Sequence, residues 1–161
     1  QLLLKISTVS PSRIAVNTPT PITLSGVIPV STPQTVEDAE TLYEVKIGGI
    51  KAEFRNGGSD EEDIAITQYI EDGENQMYIT SPSISTPGKV DVEVIDKSVA
   101  GYSYLLPQAI QVLNVYTVTT NISRSFPDIS PNAKITLSPT NSPELDEPNK
   151  FFEGDNVILT I

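Results

Sequence analysis

Seven acids and no base lie between Asn56 and Asn75, in the stretch "NGGSDEEDIAITQYIEDGEN". Carboxylates at this density suggest two kinds of chemistry. As hard oxygen donors they suit calcium, which takes six to eight oxygens from a loop able to fold around it. As a pair about 5–9.5 Å apart across a cleft they suit glycoside hydrolysis. An EF-hand frame started at Asn56 fails, because Gly58 and Thr67 fall at ligand positions and Glu61 where the turn glycine belongs. Hydrolysis is disfavoured too: the acids sit in polar loop sequence with no apolar pocket to raise a pKa, and the chain has no Trp to form a sugar platform.

The intervening residues 64–70, "IAITQYI", read as a strand. At ~3.3 Å per residue an extended strand would hold the flanking acids on the order of 20 Å apart, too far for one ion to bridge. The stretch therefore divides into two separate calcium candidates, Asp60, Glu61 and Asp63 at one end and Glu71, Asp72 and Glu74 at the other. Each reads either as a site that borrows oxygens from a second loop or as a solvated, charge-rich loop. No other cofactor is expected.

Composition excludes much else. The chain has 161 residues, a formal charge of −11, no Cys and no His. Without them there is no thiolate nucleophile, no disulfide, no imidazole base, no Ser-His-Asp triad and no ordinary zinc site. The ten bases are scattered singly, so neither nucleic acid nor an anionic membrane surface is an expected partner. No apolar run approaches the roughly 20 residues of a membrane helix, so direct membrane insertion is not expected. The chain starts at Gln1 with no basic and apolar leader, and reads as a mature or excised fragment. These features point away from an enzyme.

Aromatic residues offer another chemistry. Tyr69 and Tyr78 flank the turn "EDGEN", and Tyr102 and Tyr104 lie near a later one. They read either as a sugar-stacking surface or as cross-strand packing with hydroxyls at the rim. Phe151-Phe152 reads as a core-facing strand entry or, if exposed, as a contact between modules. Asn121-Ile122-Ser123 matches a glycosylation acceptor, which has meaning only in a eukaryotic secretory setting.

The elements that must position these groups are strands. Turn residues recur every 8–12 positions and no long stretch has helical periodicity. "ITLSGVIPV" places Ile22, Leu24 and Val27 toward a core. The polar segment 35–42 has the makings of a short helical turn but reads as a loop or edge excursion. In "YEVKIGGIKAEF", Val45 and Ile47 alternate with charges, Gly48-Gly49 permits a tight turn, and Ile50, Ala52 and Phe54 resume on one face. "AITQYI" and "QMYITSP" around "EDGEN" read as a hairpin. "KVDVEVID" alternates Val90, Val92 and Val94 with acids, and a last strand ends near Asn114. About seven strands in ~110 residues fit an antiparallel β-sandwich.

Residues 1–114 thus form an expected first domain, and 115–161 a connector followed by further strands. "KISTVSPS" with "PITLSG" downstream parallels "KITLSPTN" with "NVILTI" downstream. The tail reads as a second immunoglobulin-like module that begins near 129–133 and stops after its second strand, or as extra strands completing the first domain.

Residues 6–114 resemble the IPT/TIG family of immunoglobulin-like domains. Five pieces carry the likeness in order: "ISTVSPS", "PITLSG", "VKIGGIKAEF", "MYITSPSISTPGKVDVEVID" and "AIQVL". The chain departs from the family where "NTPTP" replaces a glycine-rich turn and where the stretch from Gly26 to Glu44 is longer than usual. The resemblance implies an all-β, antiparallel immunoglobulin-like β-sandwich with no common catalytic residues. It implies a non-enzymatic structural or adhesive module of a larger extracellular, cell-surface protein of adhesin, surface-layer or receptor-ectodomain type. The alternative is a carbohydrate- or protein-binding module, and a third reading is the accessory domain of a secreted polysaccharide-active enzyme. Expected partners are neighbouring immunoglobulin-like modules or copies of the same protein, with glycans in the alternative.

Overall fold

The computed structural model describes residues 3–121 and 134–161. The chain divides into two compact units, Gln1–Val112 and Leu113–Ile161. Among the described residues strands are the main regular structure of both.

The first unit contains β1 (Lys5–Ser10), β2 (Arg13–Ala15), β3 (Pro21–Val27), α1 (Val36–Leu42) and β4 (Tyr43–Ile47). There follow β5 (Ile50–Lys51), β6 (Glu53–Phe54), β7 (Asn75–Thr80), β8 (Gly88–Asp96) and β9 (Tyr102–Leu113). One sheet has the order β1-β3-β7-β6 and the other β2-β9-β8-β4-β5. Period-2 alternation decides which side chains meet. β3 and β7 pair antiparallel with Ile22 opposite Ile79 and Leu24 opposite Met77, and all four side chains are fully buried. Val45, Val92, Val94, Ile110 and Val112 supply the buried face of the other sheet. Residues of both sheets belong to one hydrophobic cluster. Burying each such side chain contributes roughly 1.5–3 kcal/mol.

In the first unit the chain makes two of its changes of sheet through links of only one or two residues. Between β1 and β2 it crosses at Pro11-Ser12; the Ser10-Pro11 peptide bond is cis, as is Ser138-Pro139. Between β5 and β6 it crosses at Ala52, which is buried and donates its N–H to the Val45 carbonyl at 2.8 Å. Gly48 and Gly49 have φ of 60° and 80°, the pair of left-handed conformations a two-residue hairpin needs. The expectation that Ile50, Ala52 and Phe54 share one face is corrected by the second crossing. Ile50 is 47% exposed opposite Ile47, while Phe54 is half-buried in the other sheet.

Three other expectations change. Val27 is half-buried rather than core-facing, because strict alternation from Ile22 and Leu24 gives the inward position to Gly26. A Cβ at Gly26 would lie 2.1 Å from the Lys5 carbonyl oxygen, so β1 approaches β3 too closely for any side chain there.

Residues 36–42 form a helix rather than a loop. The Thr35 hydroxyl caps it by accepting from the Asp38 N–H at 3.1 Å, and Glu37 and Asp38 complement the helix dipole in its first turn.

Residues 64–70 are not a continuous strand. Ile66 alone bridges, to Gln34 on one side and Met77 on the other. Two backbone bonds, Tyr78 N–H to Ala65 C=O at 2.8 Å and Thr67 N–H to Gln76 C=O at 2.9 Å, hold this segment along β7. Beyond Thr67 the chain leaves in a wide loop, with Ile70 65% exposed.

β8 and β9 carry a bulge, since the register shifts between Val90 and Val92. Pro107 and Gln108 (φ 53°) sit in it, and the Asp91 carboxylate accepts the Gln108 N–H at 2.8 Å. A proline inside a paired strand is tolerated at such a bulge.

The second unit contains β10 (Val115–Thr117), β11 (Thr136–Ser138), β12 (Lys150–Phe152) and β13 (Ile158–Thr160). β10 pairs with β12 and β11 with β13, both antiparallel. Phe151 and Phe152 are both buried, as their place in a strand entry suggests. Buried Ser142 accepts the Phe152 N–H at 3.0 Å and donates its hydroxyl proton to the Asp155 carboxylate. The expected module start at 129–133 lies outside the described residues, as do Ile122 and Ser123 of the glycosylation acceptor.

Candidate functional site

Asn56 organises the first acidic loop. Its side-chain carbonyl accepts the N–H groups of Gly58 at 2.8 Å and Ile64 at 3.1 Å, and Gly57 N–H bonds to Ile64 C=O at 2.9 Å. The loop between closes on itself through Glu62 N–H to Ser59 C=O at 3.0 Å. Asp60, Glu61 and Asp63 all point into solvent on this loop, and Asp63 also accepts the Val36 N–H at the start of α1, at 3.4 Å. One of the three is therefore already engaged, in complementing a helix start.

Glu71, Asp72 and Glu74 lie on the second turn, where Gly73 N–H bonds to Ile70 C=O at 2.9 Å and Asp72 has φ 59°. All three are exposed. Glu74 borders a shallow depression with Ser25, Thr67, Gln68 and Gln76, none of them a carboxylate. Among the described residues, no three acidic side chains gather closely enough to hold a metal ion.

The tyrosines pack. Tyr78 is half-buried, Gly57 lies against its ring, and the Arg55 guanidinium sits 5.2 Å from the ring centroid. That arrangement is a cation–π contact. The Tyr78 hydroxyl donates to Gln76 Oε1 at 2.7 Å, and Arg55 Nε donates to the Ile79 carbonyl at 2.9 Å. Tyr102 and Tyr104 pack against the main core, and the Tyr102 hydroxyl donates to the Leu4 carbonyl at 2.9 Å. Tyr69 is half-buried.

A cavity of about 300 Å³ opens where the chain crosses from β5 to β6, lined by Glu40, Tyr43, Lys51, Ala52, Glu53, Phe54 and Lys97. Lys97 Nζ donates to the Glu40 carbonyl at 2.6 Å, and Lys51 Nζ stands 4.0 Å from Glu44. Tyr43 is 3% exposed and its hydroxyl donates to the Pro29 carbonyl at 2.8 Å. Burial, and secondarily the Asp96 carboxylate, push the Tyr43 phenol well above its ordinary range. It is a fixed donor, not a base. Glu40 and Lys97 lie far apart in sequence and meet through the β4–β8 pairing, while the crossing at Ala52 brings in Lys51, Glu53 and Phe54. No periodicity or motif in the sequence marks them.

Of the two chemistries open to the acids, neither is assembled by carboxylates alone; what the fold does assemble is a mixed-charge pocket and a set of packed aromatic anchors. No protein family, no curated protein and no solved structure matches this chain.

Proposed function

We propose that the chain is a non-enzymatic structural or adhesive piece of a larger extracellular surface protein. In this reading the first unit is an immunoglobulin-like β-sandwich of IPT/TIG type, and the second unit opens another such module. The observation that carries it is how the first unit ties its first strands to its last. β1 and β2 follow each other in sequence yet enter different sheets, and β2 lies beside β9. Gln111 N–H bonds to Ser12 C=O at 2.8 Å, and the Tyr102 hydroxyl bonds to Leu4 C=O. Tension applied along the chain thus meets hydrogen bonds between the two ends before it reaches the core. A unit built this way transmits force rather than lengthening.

Strand register supports the modular reading of the tail. In the first unit Thr8, Val9 and Ser10 pair with Ser25, Leu24 and Thr23. In the second, Thr136, Leu137 and Ser138 pair with Thr160, Leu159 and Ile158. Both sets precede a Ser-Pro bond's proline by the same count, so the parallel between "STVSP" and "ITLSP" extends from letters to pairing. Pulling the first unit between residues 3 and 112 tests the proposal: one cooperative rupture supports it, and gradual lengthening overturns it.

The 300 Å³ cavity favours a second reading, a binding module for a small polar ligand such as a sugar, since Phe54 offers a half-buried ring beside Lys51, Glu53 and Lys97. A glycan array probed with the intact chain tests it, and uniformly blank wells reject it.

A further inference from the structure

Asn56 is followed by Gly57, and no other asparagine in the chain precedes a glycine. The pair is chemically labile, because glycine has no Cβ to keep its nitrogen away from the asparagine side chain before it. The fold asks for both residues. Asn56 Oδ1 holds the N–H groups of Gly58 and Ile64, at 2.8 Å and 3.1 Å. A Cβ at position 57 would lie 2.1 Å from the Tyr78 ring, so only glycine fits there. Asn56 itself is exposed to water.

We propose that Asn56 is a site of spontaneous deamidation, and that the hydrogen bonds of its own loop set the rate. In the reaction the Gly57 nitrogen gives up its proton and bonds to Asn56 Cγ. The Cγ–Nδ2 bond breaks, ammonia leaves, and a succinimide ring closes. Water then opens the ring at one of its two carbonyls. One opening gives aspartate; the other gives isoaspartate, whose main chain runs through Cβ and Cγ. Water is the sole co-reactant, and the chain becomes one charge more negative than −11. The folded loop opposes the first step. Gly57 N–H is bonded to Ile64 C=O at 2.9 Å, and the Asn56 amide is pinned through its oxygen. The Tyr78 ring packs on Gly57 and limits the rotation that would bring its nitrogen to Cγ. Attack therefore waits for residues 56–64 to open, and an opening that costs about 1.4 kcal/mol slows it about tenfold. The aspartate product keeps oxygens for the same two N–H groups. Isoaspartate lengthens the main chain by one carbon and loses them, which releases the first acidic loop and its tie from Asp63 to the start of α1.

Peptide mapping by mass spectrometry, with fragmentation that separates aspartate from isoaspartate, tests this on the intact chain aged in mildly alkaline buffer. The folded chain is compared with the same chain held unfolded in urea. Asn56 should convert before every other asparagine in both samples, and at least tenfold more slowly in the folded one. Tyr78→Ala, which takes the ring off Gly57, should speed the folded reaction at least threefold and leave the urea rate unchanged. In molecules carrying isoaspartate, the Gly58 and Ile64 amides should lose protection from hydrogen exchange while those of β3 and β7 keep theirs. Equal rates in folded and unfolded chains overturn the proposal. So does a folded chain in which another asparagine converts first, or a folded Tyr78→Ala that reacts no faster than the wild type. The folded-against-unfolded comparison uses the wild type alone, so it stays decisive if Tyr78→Ala fails to fold.

Discussion

The side chain of Asn75 replaces a strand partner for Ile28: its Oδ1 accepts the Ile28 N–H at 2.8 Å and its Nδ2 donates to the Ile28 C=O at 2.7 Å. The same Nδ2 reaches the Thr67 carbonyl at 2.9 Å, and Asn75 is 2% exposed. One buried amide thus joins the end of β3, the start of β7 and the segment leading to the second acidic turn. Asn75→Ala leaves those backbone groups without partners, at about 1–3 kcal/mol for each buried group left unsatisfied. Urea unfolding should show a loss of at least ~2 kcal/mol, and Asn75→Asp, which accepts but cannot donate, a loss of similar size. A change below ~0.5 kcal/mol would mean that water replaces the amide.

Gly26 tests the approach of β1 to β3. Its missing side chain leaves room for the Lys5 carbonyl, and the obstacle to Gly26→Ala is backbone, not a flexible tip. The substitution should cost more than ~2 kcal/mol, as overpacking against an immobile neighbour does, and should expose the β1 amides to hydrogen exchange first. Unchanged protection of residues 5–10 would contradict the close approach.

Tyr43 sets the alkaline limit. Its phenol is held protonated in the folded protein but ionises near pH 10 when unfolded, so the folded state keeps the proton longer. Its contribution is complete below pH ~10 and is lost as pH rises above that value, with a slope approaching ~1.4 kcal/mol per pH unit. Denaturation followed from pH 8 to pH 11 should show this fall in the wild type, and a flatter profile in Tyr43→Phe, which also loses about 1 kcal/mol with the bond to Pro29. Identical slopes in the two proteins would remove Tyr43 from the account.

The acids should be indifferent to calcium. A ligand at a hundred times its Kd stabilises by about 2.7 kcal/mol, and each kcal/mol moves the melting temperature by about 4–8 °C in a domain of this size. With no three acids gathered among the described residues, millimolar calcium should move the melting temperature by less than ~1 °C, in the wild type and in Asp60→Asn/Glu71→Gln alike. A rise of several degrees, lost on substitution, would show that one of the two turns binds after all.

Much of the strand framework is legible in the residues. Ile22 and Leu24 in β3, Val92 and Val94 in β8 and the Gly48-Gly49 turn announce themselves by period and backbone need. The last strand's end near Asn114 was equally readable, since β9 closes at Leu113. What stayed hidden depends on distant partners. Residues 64–70 have the composition of a strand, yet Asn75 turns its side chain to Ile28 and the ladder opens beyond Thr67. The helix at 36–42 leaves little trace in the residues because one capping hydroxyl and one buried alanine, Ala39, carry it in place of a full apolar stripe. The cavity beside Tyr43 exists only because the chain crosses between sheets at Ala52, a step no local pattern encodes. The acidic stretch showed its composition at once, but whether carboxylates converge is a matter of loop geometry, which Asn56 and Gly58 decide.

The most direct test of a force-transmitting module is to pull the first unit from residue 3 to residue 112, tethered through added handles, and compare wild type with Tyr102→Phe. The wild type should give one rupture per molecule, releasing on the order of 350–400 Å of chain at ~3.5 Å per residue, and loss of the Tyr102–Leu4 hydrogen bond should lower the rupture force without adding steps. Lengthening in several small steps, or yielding without a rupture peak, would contradict the account.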